Sequence, residues 1–192
     1  TGYLRRSVPH LTEVPARPAG GQPYVLVTVG GGDDGMSVVD WVLRAYEHDP
    51  DIPLAAVLVL GPFMPPAMQR QFRERAKLLP HIAVVTFDAH VELLMERAVG
   101  VVAMAGYNTF CEILSLDKRA ILIPRTTPRQ EQLLRALRAA ERGLVRTLDP
   151  RGEHDPAVMA AALRELPQQK LPSACGAEQM LGGLDVITDL VA

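Results

Sequence analysis

Residues 99–116 read Val-Gly-Val-Val-Ala-Met-Ala-Gly-Tyr-Asn-Thr-Phe-Cys-Glu-Ile-Leu-Ser-Leu, and this stretch decides the fold that the sequence predicts. Its apolar start, residues 99–105, is long enough for one buried strand but too short for a helix. Gly106 interrupts the run, and Asn108 and Thr109 are candidate N-caps of a helix that follows. The stretch therefore predicts a strand, a glycine turn and the start of a helix.

This turn has the properties of an anion site. Backbone N–H groups at a helix start lack intrahelical partners and the helix dipole is positive there, so a phosphate or pyrophosphate is favoured. Glu112, one turn further on, could hold a ribose diol while the turn binds the phosphates. Two simpler interpretations stay open. Most strand-to-helix turns bind nothing, and Glu112 is spaced from Thr109 as in a capping box, which would serve only its own helix.

The composition excludes several classes of protein. A chain of 192 residues suits one domain with or without tails, and 48% hydrophobic with 22% charged residues is typical of globular proteins. The net charge of −2 gives no basic surface for nucleic acid. No apolar run approaches the roughly eighteen residues of a membrane span. The chain begins with Thr, and we expect it to be a fragment of a longer protein.

The sequence predicts neither a metal site nor a bound cofactor. Cys111 and Cys175 are the only cysteines, and their spacing is not that of metal ligands. So few cysteines favour a reducing compartment or no redox role, and we expect a cytoplasmic location. The five histidines do not cluster with cysteines or carboxylates, and neither a nucleophile elbow nor a Walker lysine is present.

Apolar runs alternate with amphipathic segments along the chain. We predict strands at 23–29, 53–60, 82–87, 99–105 and 120–124, with a short sixth strand at 144–145. Helices are predicted at 36–46, 66–78, 91–97, from 109 onward, 128–142 and 156–166. The strands are apolar on both faces, which is typical of a parallel sheet covered by helices on each side. Because such crossovers are right-handed, we predict a doubly wound, Rossmann-like α/β fold of about six strands.

The two ends of the chain differ from this pattern. Residues 1–22 are predicted to be a linker or entry segment, with a short extended piece at Tyr3-Leu4. Residues 167–192 mix Pro, Gly and Ser and are predicted to form an irregular tail with a weak helix near 179–181. Residues 23–166 remain as the Rossmann-like domain.

The glycine-rich segment 30–35 matches the Gly-x-Gly-x-x-Gly fingerprint of dinucleotide-binding proteins. That fingerprint also needs an acid at the end of the next strand, but residues 59–62 there are Val-Leu-Gly-Pro. Asp33 and Asp34 would moreover repel a pyrophosphate at short range. We therefore favour either a tight turn with Asp34 as a helix N-cap, or a bare glycine backbone that a neutral sugar or acceptor approaches.

Two other loops follow strands at the edge where such sheets bind ligands. Phe87 could offer a face or an edge to a base, although a lone aromatic residue there is more often part of the core. Gln130 lies at a predicted helix start, and its amide can both donate to and accept from sugar hydroxyls. From spacing alone, a solvated first turn is the preferred interpretation of Gln130.

Three motifs occur in order and carry a family resemblance. They are Val-Thr-Val-Gly-Gly-Gly at 27–32, Ala-Gly-Tyr-Asn-Thr-Phe-Cys-Glu at 105–112 and Ile-Pro-Arg-Thr-Thr-Pro-Arg-Gln-Glu-Gln at 123–132. Together they resemble the C-terminal half of GT-B glycosyltransferases. Within this group the chain resembles family 28, whose members include the N-acetylglucosaminyl transferase that makes the peptidoglycan lipid precursor. The resemblance spans about residues 24 to 145.

The resemblance implies that residues 23–166 bind the nucleotide-sugar donor, with UDP as the expected carrier. It implies the following roles: Gly106, Tyr107, Asn108 and Thr109 hold the diphosphate, Glu112 the ribose, Phe87 and Asp88 the uracil, Gln130 with its neighbour Arg129 the sugar or ribose, and Gly31 and Gly32 line the cleft. The acceptor site and the general base are expected in an N-terminal Rossmann domain outside this chain. The catalytic residue is therefore unknown, and the fragment is expected to bind a donor without transferring it.

Several positions depart from the family pattern. Tyr107-Asn108 replaces alanine-leucine, Cys111 replaces serine, and Thr127-Pro128 stands where His or Asp is often found. The base and the sugar therefore stay open. A nucleotide-sugar hydrolase or epimerase of the same fold, and a non-catalytic Rossmann-like binding module, are the alternatives.

Overall fold

A computed structural model describes residues 2–8 and 19–191, so half of the predicted linker, residues 1 and 9–18, lies outside the described residues. One sheet of six parallel strands has the order β3-β2-β1-β4-β5-β6. Its strands are β1 (Tyr24–Thr28), β2 (Ala55–Val59), β3 (Ile82–Val85), β4 (Gly100–Ala103), β5 (Arg119–Leu122) and β6 (Arg146–Thr147). This is the strand order of a doubly wound Rossmann sheet, as predicted.

Helices connect the strands and cover both faces of the sheet. They are α1 (Met36–His48), α2 (Pro66–Lys77), α3 (Val91–Arg97), α4 (Tyr107–Ser115), α5 (Glu131–Glu141), α6 (Pro156–Glu165) and α7 (Gly183–Val191). Short 3-10 turns lie at Ala19–Gly21, Leu166–Gln168, Pro172–Cys175 and Ala177–Met180. None of the helices within 2–8 and 19–191 has the length and apolar character needed to cross a membrane.

The core consists of two apolar layers, one on each face of the sheet. Alternate residues of β1 show the division, because side chains of a strand point to opposite faces. Val25 and Val27 pack in the layer formed with α1, α2 and α6. Leu26 packs in the other layer, beneath α3, α4 and α5. Phe110 of α4 is buried in the same layer. Both faces of the sheet are therefore buried from solvent, and this explains why the strands are apolar throughout.

The direction of winding reverses between β1 and β4, which are neighbours in the sheet. The chain moves outward from β1 through β2 to β3, returns by α3 to β4 on the other side, and continues outward to β6. In sheets of this kind the crevice at the reversal, beyond the carboxyl ends of the strands, is the usual ligand site. The loops that follow β1 and β4 form this crevice here.

Hydrogen bonds account for two of the boundaries that differ from the prediction. The sixth strand is Arg146–Thr147 rather than 144–145, because the Leu144 N–H donates to Ala139 O (3.0 Å) and so ends α5. Helix α5 begins at Glu131 rather than 128. The segment before it folds back, with the backbone N–H of Arg125 donating to Gln132 Oε1 (3.2 Å).

The two ends of the chain pair with each other. Leu4 forms an antiparallel bridge with Gly182, which confirms the extended piece predicted at Tyr3-Leu4. The Tyr3 ring packs edge-on against Phe110, with ring centroids 5.0 Å apart. The C-terminal segment also contains helix α7, which the sequence pattern did not predict. Residues 2–8 are thereby held between α4 and the C-terminal segment.

Candidate functional site

The sequence-predicted site residues all follow strands at the carboxyl edge of the sheet. Gly31 and Gly32 follow β1, Phe87 and Asp88 follow β3, Gly106, Tyr107, Asn108, Thr109 and Glu112 follow β4, and Arg129 and Gln130 follow β5. Strands β1, β4 and β5 are adjacent in the sheet, so three of these four loops are next to one another. Strand β3 is at the edge of the sheet, and Glu92, in the helix that follows its loop, is within electrostatic range of Glu112.

Helix α4 begins earlier than predicted. Gly106 is its N-cap (φ −59°, ψ 149°), and the Phe110 N–H donates to Gly106 O at 2.9 Å. Asn108 and Thr109 therefore lie in the first helical turn, and no side chain caps the helix. The predicted N-caps and the capping box of Thr109 with Glu112 are wrong. Glu112 consequently has no capping role.

The start of α4 is open and positively polarised. The backbone N–H groups of Tyr107, Asn108 and Thr109 have no hydrogen-bond acceptor within the described part of the chain. A Cβ atom added to Gly106 would meet no atom within 4 Å, so packed side chains do not fill the space in front of this residue. Unpaired N–H groups at the positive end of a helix favour an anion.

Glu112 lies one turn further along α4 and is half-buried. Burial raises the pKa of its carboxyl, Glu92 raises that pKa further, and Arg6 lowers it. The carboxylate has no hydrogen-bond partner among residues 2–8 and 19–191. Because a half-buried carboxylate without donors is poorly solvated, two ligand hydroxyl groups would stabilise it. Glu92, in the first turn of α3, therefore lies within electrostatic range of Glu112.

Arg6 is a residue of the site that the sequence did not predict. Its guanidinium Nη2 donates to Asn108 Oδ1 at 2.7 Å, and its backbone N–H donates to Ser115 Oγ at 2.9 Å. A cation thereby lies beside the open end of α4 and within electrostatic range of Glu112. Arg6 is 102 residues away from Asn108 in the chain. The one available signal was the adjacent pair Arg5-Arg6 in a segment predicted to be a linker.

Tyr107 contributes its backbone to the open helix start while its ring packs to one side. The ring lies 5.9 Å from that of Tyr3, and the guanidinium of Arg135 lies 5.6 Å from its centroid. Arg135 also donates to Ala105 O at 2.5 Å, immediately before the glycine turn. These contacts fix the turn from the side of α5.

The glycines after β1 interlock with the loop after β2. Gly32 has φ +88°, and a Cβ atom there would lie 2.2 Å from Leu60 O. Gly61 has φ +85°, and its Cβ atom would lie 2.5 Å from Gly30 O. Both positions require glycine because of this backbone contact, whether or not a ligand binds. The Phe63 N–H donates to Gly31 O at 2.8 Å and closes the contact.

Asp34 does not cap α1 as the tight-turn interpretation predicted. The N-cap is Gly35, without a side-chain hydrogen bond. The carboxylate of Asp34 instead accepts a 2.6 Å hydrogen bond from Arg125 in the loop after β5. This contact was not evident from local sequence, because its partners are 91 residues apart.

The remaining candidates lie at the surface of the same edge. Phe87 is 61% exposed, so it is not part of the core and its ring is accessible. Asp88 Oδ1 accepts from the His90 N–H at 2.8 Å and shapes the turn before α3. Arg129 and Gln130 are exposed, and Gln130 is the N-cap residue of α5, although its side chain makes no capping hydrogen bond with the described residues. No contact in the described part of the chain joins the Phe87 loop to Arg129 or Gln130.

The strand order and the reversal of winding define a Rossmann-type domain, and the positively polarised start of α4 lies at its switch point. Residues 25–179 match the family described as the glycosyltransferase family 28 C-terminal domain. This match covers most of the chain, and the protein belongs to that family. Among proteins with curated descriptions, none matches the sequence significantly.

Solved glycosyltransferase structures share the fold. The glycosyltransferase VinC in complex with dTDP superposes with a TM-score of 0.63 at 22% identity, over 96% of this chain and 44% of VinC. SnogD from Streptomyces nogalater has a TM-score of 0.59 at 18% identity, over 98% of this chain and 48% of SnogD. MurG from Acinetobacter baumannii has a TM-score of 0.64 at 18% identity, over 88% of this chain and 55% of MurG. The chain thus spans about half the length of these structures.

Proposed function

We propose that this chain is the donor-binding half of a glycosyltransferase and that its ligand is a nucleoside diphosphate sugar with a uracil base. The observation that carries the proposal is the open start of α4, where three N–H groups and, one turn further on, a half-buried carboxylate have no hydrogen-bond partner in the part of the chain that the structure describes. The first feature suits a diphosphate and the second suits a ribose diol. Membership of the family 28 C-terminal domain supports the same class of ligand.

The residues have distinct roles in this proposal. The N–H groups of residues 107–109 bind the diphosphate, with Arg6 supplying a positive charge beside them. Glu112 accepts hydrogen bonds from the ribose, and the exposed ring of Phe87 with Asp88 contacts the base. The sugar then extends toward the loop after β5, where Arg129 and Gln130 are exposed. Gly31 and Gly32 form the wall of the crevice on the β1 side.

The same geometry would assist sugar transfer by stabilising the leaving group. Cleavage of the bond between the sugar and the diphosphate leaves a negative charge on the departing nucleoside diphosphate. Fixed N–H dipoles at the start of α4 already point to the place where that charge develops, so they need no reorganisation during the reaction. The acceptor and the general base that deprotonates it belong, in this proposal, to a second Rossmann domain of the same protein.

Calorimetric titration with UDP, dTDP, a UDP-sugar and NAD tests the ligand class. We expect the chain to bind UDP and the UDP-sugar, and to bind NAD more weakly. The dTDP arm is included because VinC was solved with that nucleotide. A preference for NAD would overturn the proposal, and a preference for dTDP would correct the base while keeping the site. Product analysis with a protein containing both halves separates transfer from hydrolysis or epimerisation.

A further inference from the structure

An ion pair spans the crevice at the carboxyl edge of the sheet. Asp34 Oδ2 lies 2.6 Å from Arg125 Nη1, and the pair joins the loop after β1 to the loop after β5. Strand β4 lies between β1 and β5 in the sheet. The two side chains must therefore meet across the end of β4, where the chain turns into α4.

The register of the sheet locates Arg125 more closely. Ala103 of β4 is paired with Leu122 of β5, and the next backbone bond, from the Ile123 N–H to Ala103 O, continues the ladder at 2.9 Å. Arg125 therefore follows the paired part of β5 by two residues, at the same edge of the sheet where β4 turns into α4. Its guanidinium, bound to Asp34 of the loop after β1, lies between two loops that flank the end of β4.

The guanidinium of Arg125 has unused hydrogen-bonding capacity. Within 2–8 and 19–191 only Nη1 has a partner; Nε is fully buried, whereas Nη2 has no partner and is not buried. About a third of each side chain of the pair stays exposed, 33% for Arg125 and 37% for Asp34. The Asp34 carboxylate thus accepts from Nη1 alone, although the guanidinium can donate from both terminal nitrogens, Nη1 and Nη2. A phosphate group has enough acceptor oxygens to accept from both.

We propose that the Asp34–Arg125 pair is an exchangeable latch in which the diphosphate of the donor displaces Asp34 from Arg125. Arg125 is then a diphosphate-binding residue, and Asp34 is a competing anion that holds the guanidinium over the crevice when no ligand is bound. This inference rests on the proposed function, because it assigns the anion at the start of α4 to a diphosphate. It gives the two residues opposite effects on affinity, which a purely structural ion pair would not.

The test measures the dissociation constants of inorganic pyrophosphate and of UDP for three chains: the unmodified one, Arg125→Gln and Asp34→Asn. Pyrophosphate isolates the diphosphate contact from the base and the ribose. We expect Arg125→Gln to weaken binding of both probes about tenfold or more, because it removes charge-assisted hydrogen bonds. We expect Asp34→Asn to strengthen binding about two- to fivefold, because an exposed competing pair of this kind is weak.

Asp49 and Arg164 provide a matched control. They form an ion pair of similar length, 2.7 Å, but Asp49 precedes β2 at the opposite, amino edge of the sheet. Asp49→Asn and Arg164→Gln make the same changes in net charge, and we expect them to leave both dissociation constants unchanged. Circular dichroism of every variant verifies that it is folded. Should Arg125→Gln fail to fold, Asp34→Asn alone decides the question.

The outcomes separate this inference from the proposed function. If the unmodified chain binds UDP but Asp34→Asn leaves affinity unchanged or weakens it, the latch is wrong and the donor site stands. Equal losses of melting temperature in both variants with unchanged affinity would show a structural pair and would also reject the latch. If the unmodified chain binds none of UDP, dTDP and pyrophosphate, the proposed function itself fails.

Discussion

At the scale of single residues, Glu112 combines two opposed requirements. Its carboxylate is half-buried and feels the charge of Glu92, so the folded chain disfavours its charge and its pKa is raised. The same absence of local donors leaves it available to a diol. A residue that destabilises the free protein while serving a ligand is expected at binding sites, and it can be tested because the two effects have opposite signs.

Glu112→Gln should increase stability and decrease affinity. The raised pKa means that the folded state binds the proton more tightly than the unfolded state does. The stability contributed by this group is therefore complete below the unfolded pKa of about 4.3 and is lost as pH rises through the higher folded pKa. The variant should have the higher free energy of unfolding at pH 7, and this advantage should shrink toward pH 4. Urea denaturation at both pH values measures it.

The affinity of Glu112→Gln for UDP should fall about tenfold to a hundredfold, because a hydrogen bond to a charged group is lost. Glu74→Gln is the matched control: Glu74 is 69% exposed on α2 and paired with Lys77. This control should change neither the pH dependence nor the affinity. Unchanged UDP affinity in Glu112→Gln would remove the ribose contact from the proposal.

The glycines of the β1–α1 loop give a second prediction at this scale. Gly32→Ala should lower the free energy of unfolding by more than about 3 kcal/mol, because the Cβ atom would collide with Leu60 O at a positive φ. Gly30→Ala is the control: φ is also positive (+61°), but no atom lies within 4 Å of its Cβ position. It should lose only about 1–2 kcal/mol. Equal losses in thermal or chemical unfolding would mean that the interlock with the β2 loop is not what requires Gly32.

At the scale of elements, helix α4 determines what the crevice can bind. Among the described residues no side chain caps it and its first three N–H groups have no acceptor, and its N-cap residue is a glycine whose Cβ position has no atom within 4 Å. A helix start without a cap gives up a small amount of stability. The N–H groups that a cap would have occupied stay available to an external anion.

Gly106→Asp should separate helix capping from ligand binding. The backbone at Gly106 (φ −59°, ψ 149°) accommodates any residue, and an aspartate there would accept from the first-turn N–H groups. Its charge also suits the helix dipole, so stability should stay the same or rise by a few tenths of a kcal/mol. Binding of UDP and pyrophosphate should be lost. The melting temperature and a titration measure the two effects, and retained binding would move the diphosphate away from α4.

The elements that could be predicted from the sequence are those fixed by local pattern. Apolar runs such as 55–59 and 100–103 form strands in which every residue is buried. A short apolar run of this type predicts a buried strand directly. The start of α4 was mispredicted because Asn and Thr are common N-caps, whereas the bond from the Phe110 N–H to Gly106 O begins the helix earlier. Helix boundaries depend on such single bonds.

The parts of the site that the sequence did not predict depend on long-range contacts. Arg6 meets Asn108 across 102 residues, and Asp34 meets Arg125 across 91. No periodicity or spacing encodes such pairs, because each depends on how the segment that carries it packs. The loops at the carboxyl edge could be predicted from the sequence, since parallel strands bring those ends together. The pairing of charged side chains within those loops could not be predicted.

At the scale of the whole molecule, the described residues form one sheet between two apolar layers. Residues 2–8 and the C-terminal segment pair with each other beside α4. Tyr3 packs on Phe110, Leu4 pairs with Gly182, and Arg6 reaches Asn108, so residues 2–8 connect the C-terminal segment to the site. The integrity of the crevice therefore depends on segments that lie outside the strands and helices of the sheet.

The two thiols offer a way to time the opening of this assembly. Cys111 is a fully buried residue of α4, whereas Cys175 is partly accessible in a 3-10 turn. A thiol reagent should modify Cys175 rapidly and Cys111 only after α4 detaches from the sheet, and saturating UDP should slow the second reaction alone. If Cys111 is labelled at the rate of complete denaturation, the ligand-holding helix opens only when the whole molecule does. Faster labelling would mean that the helix can lift while the sheet stays intact.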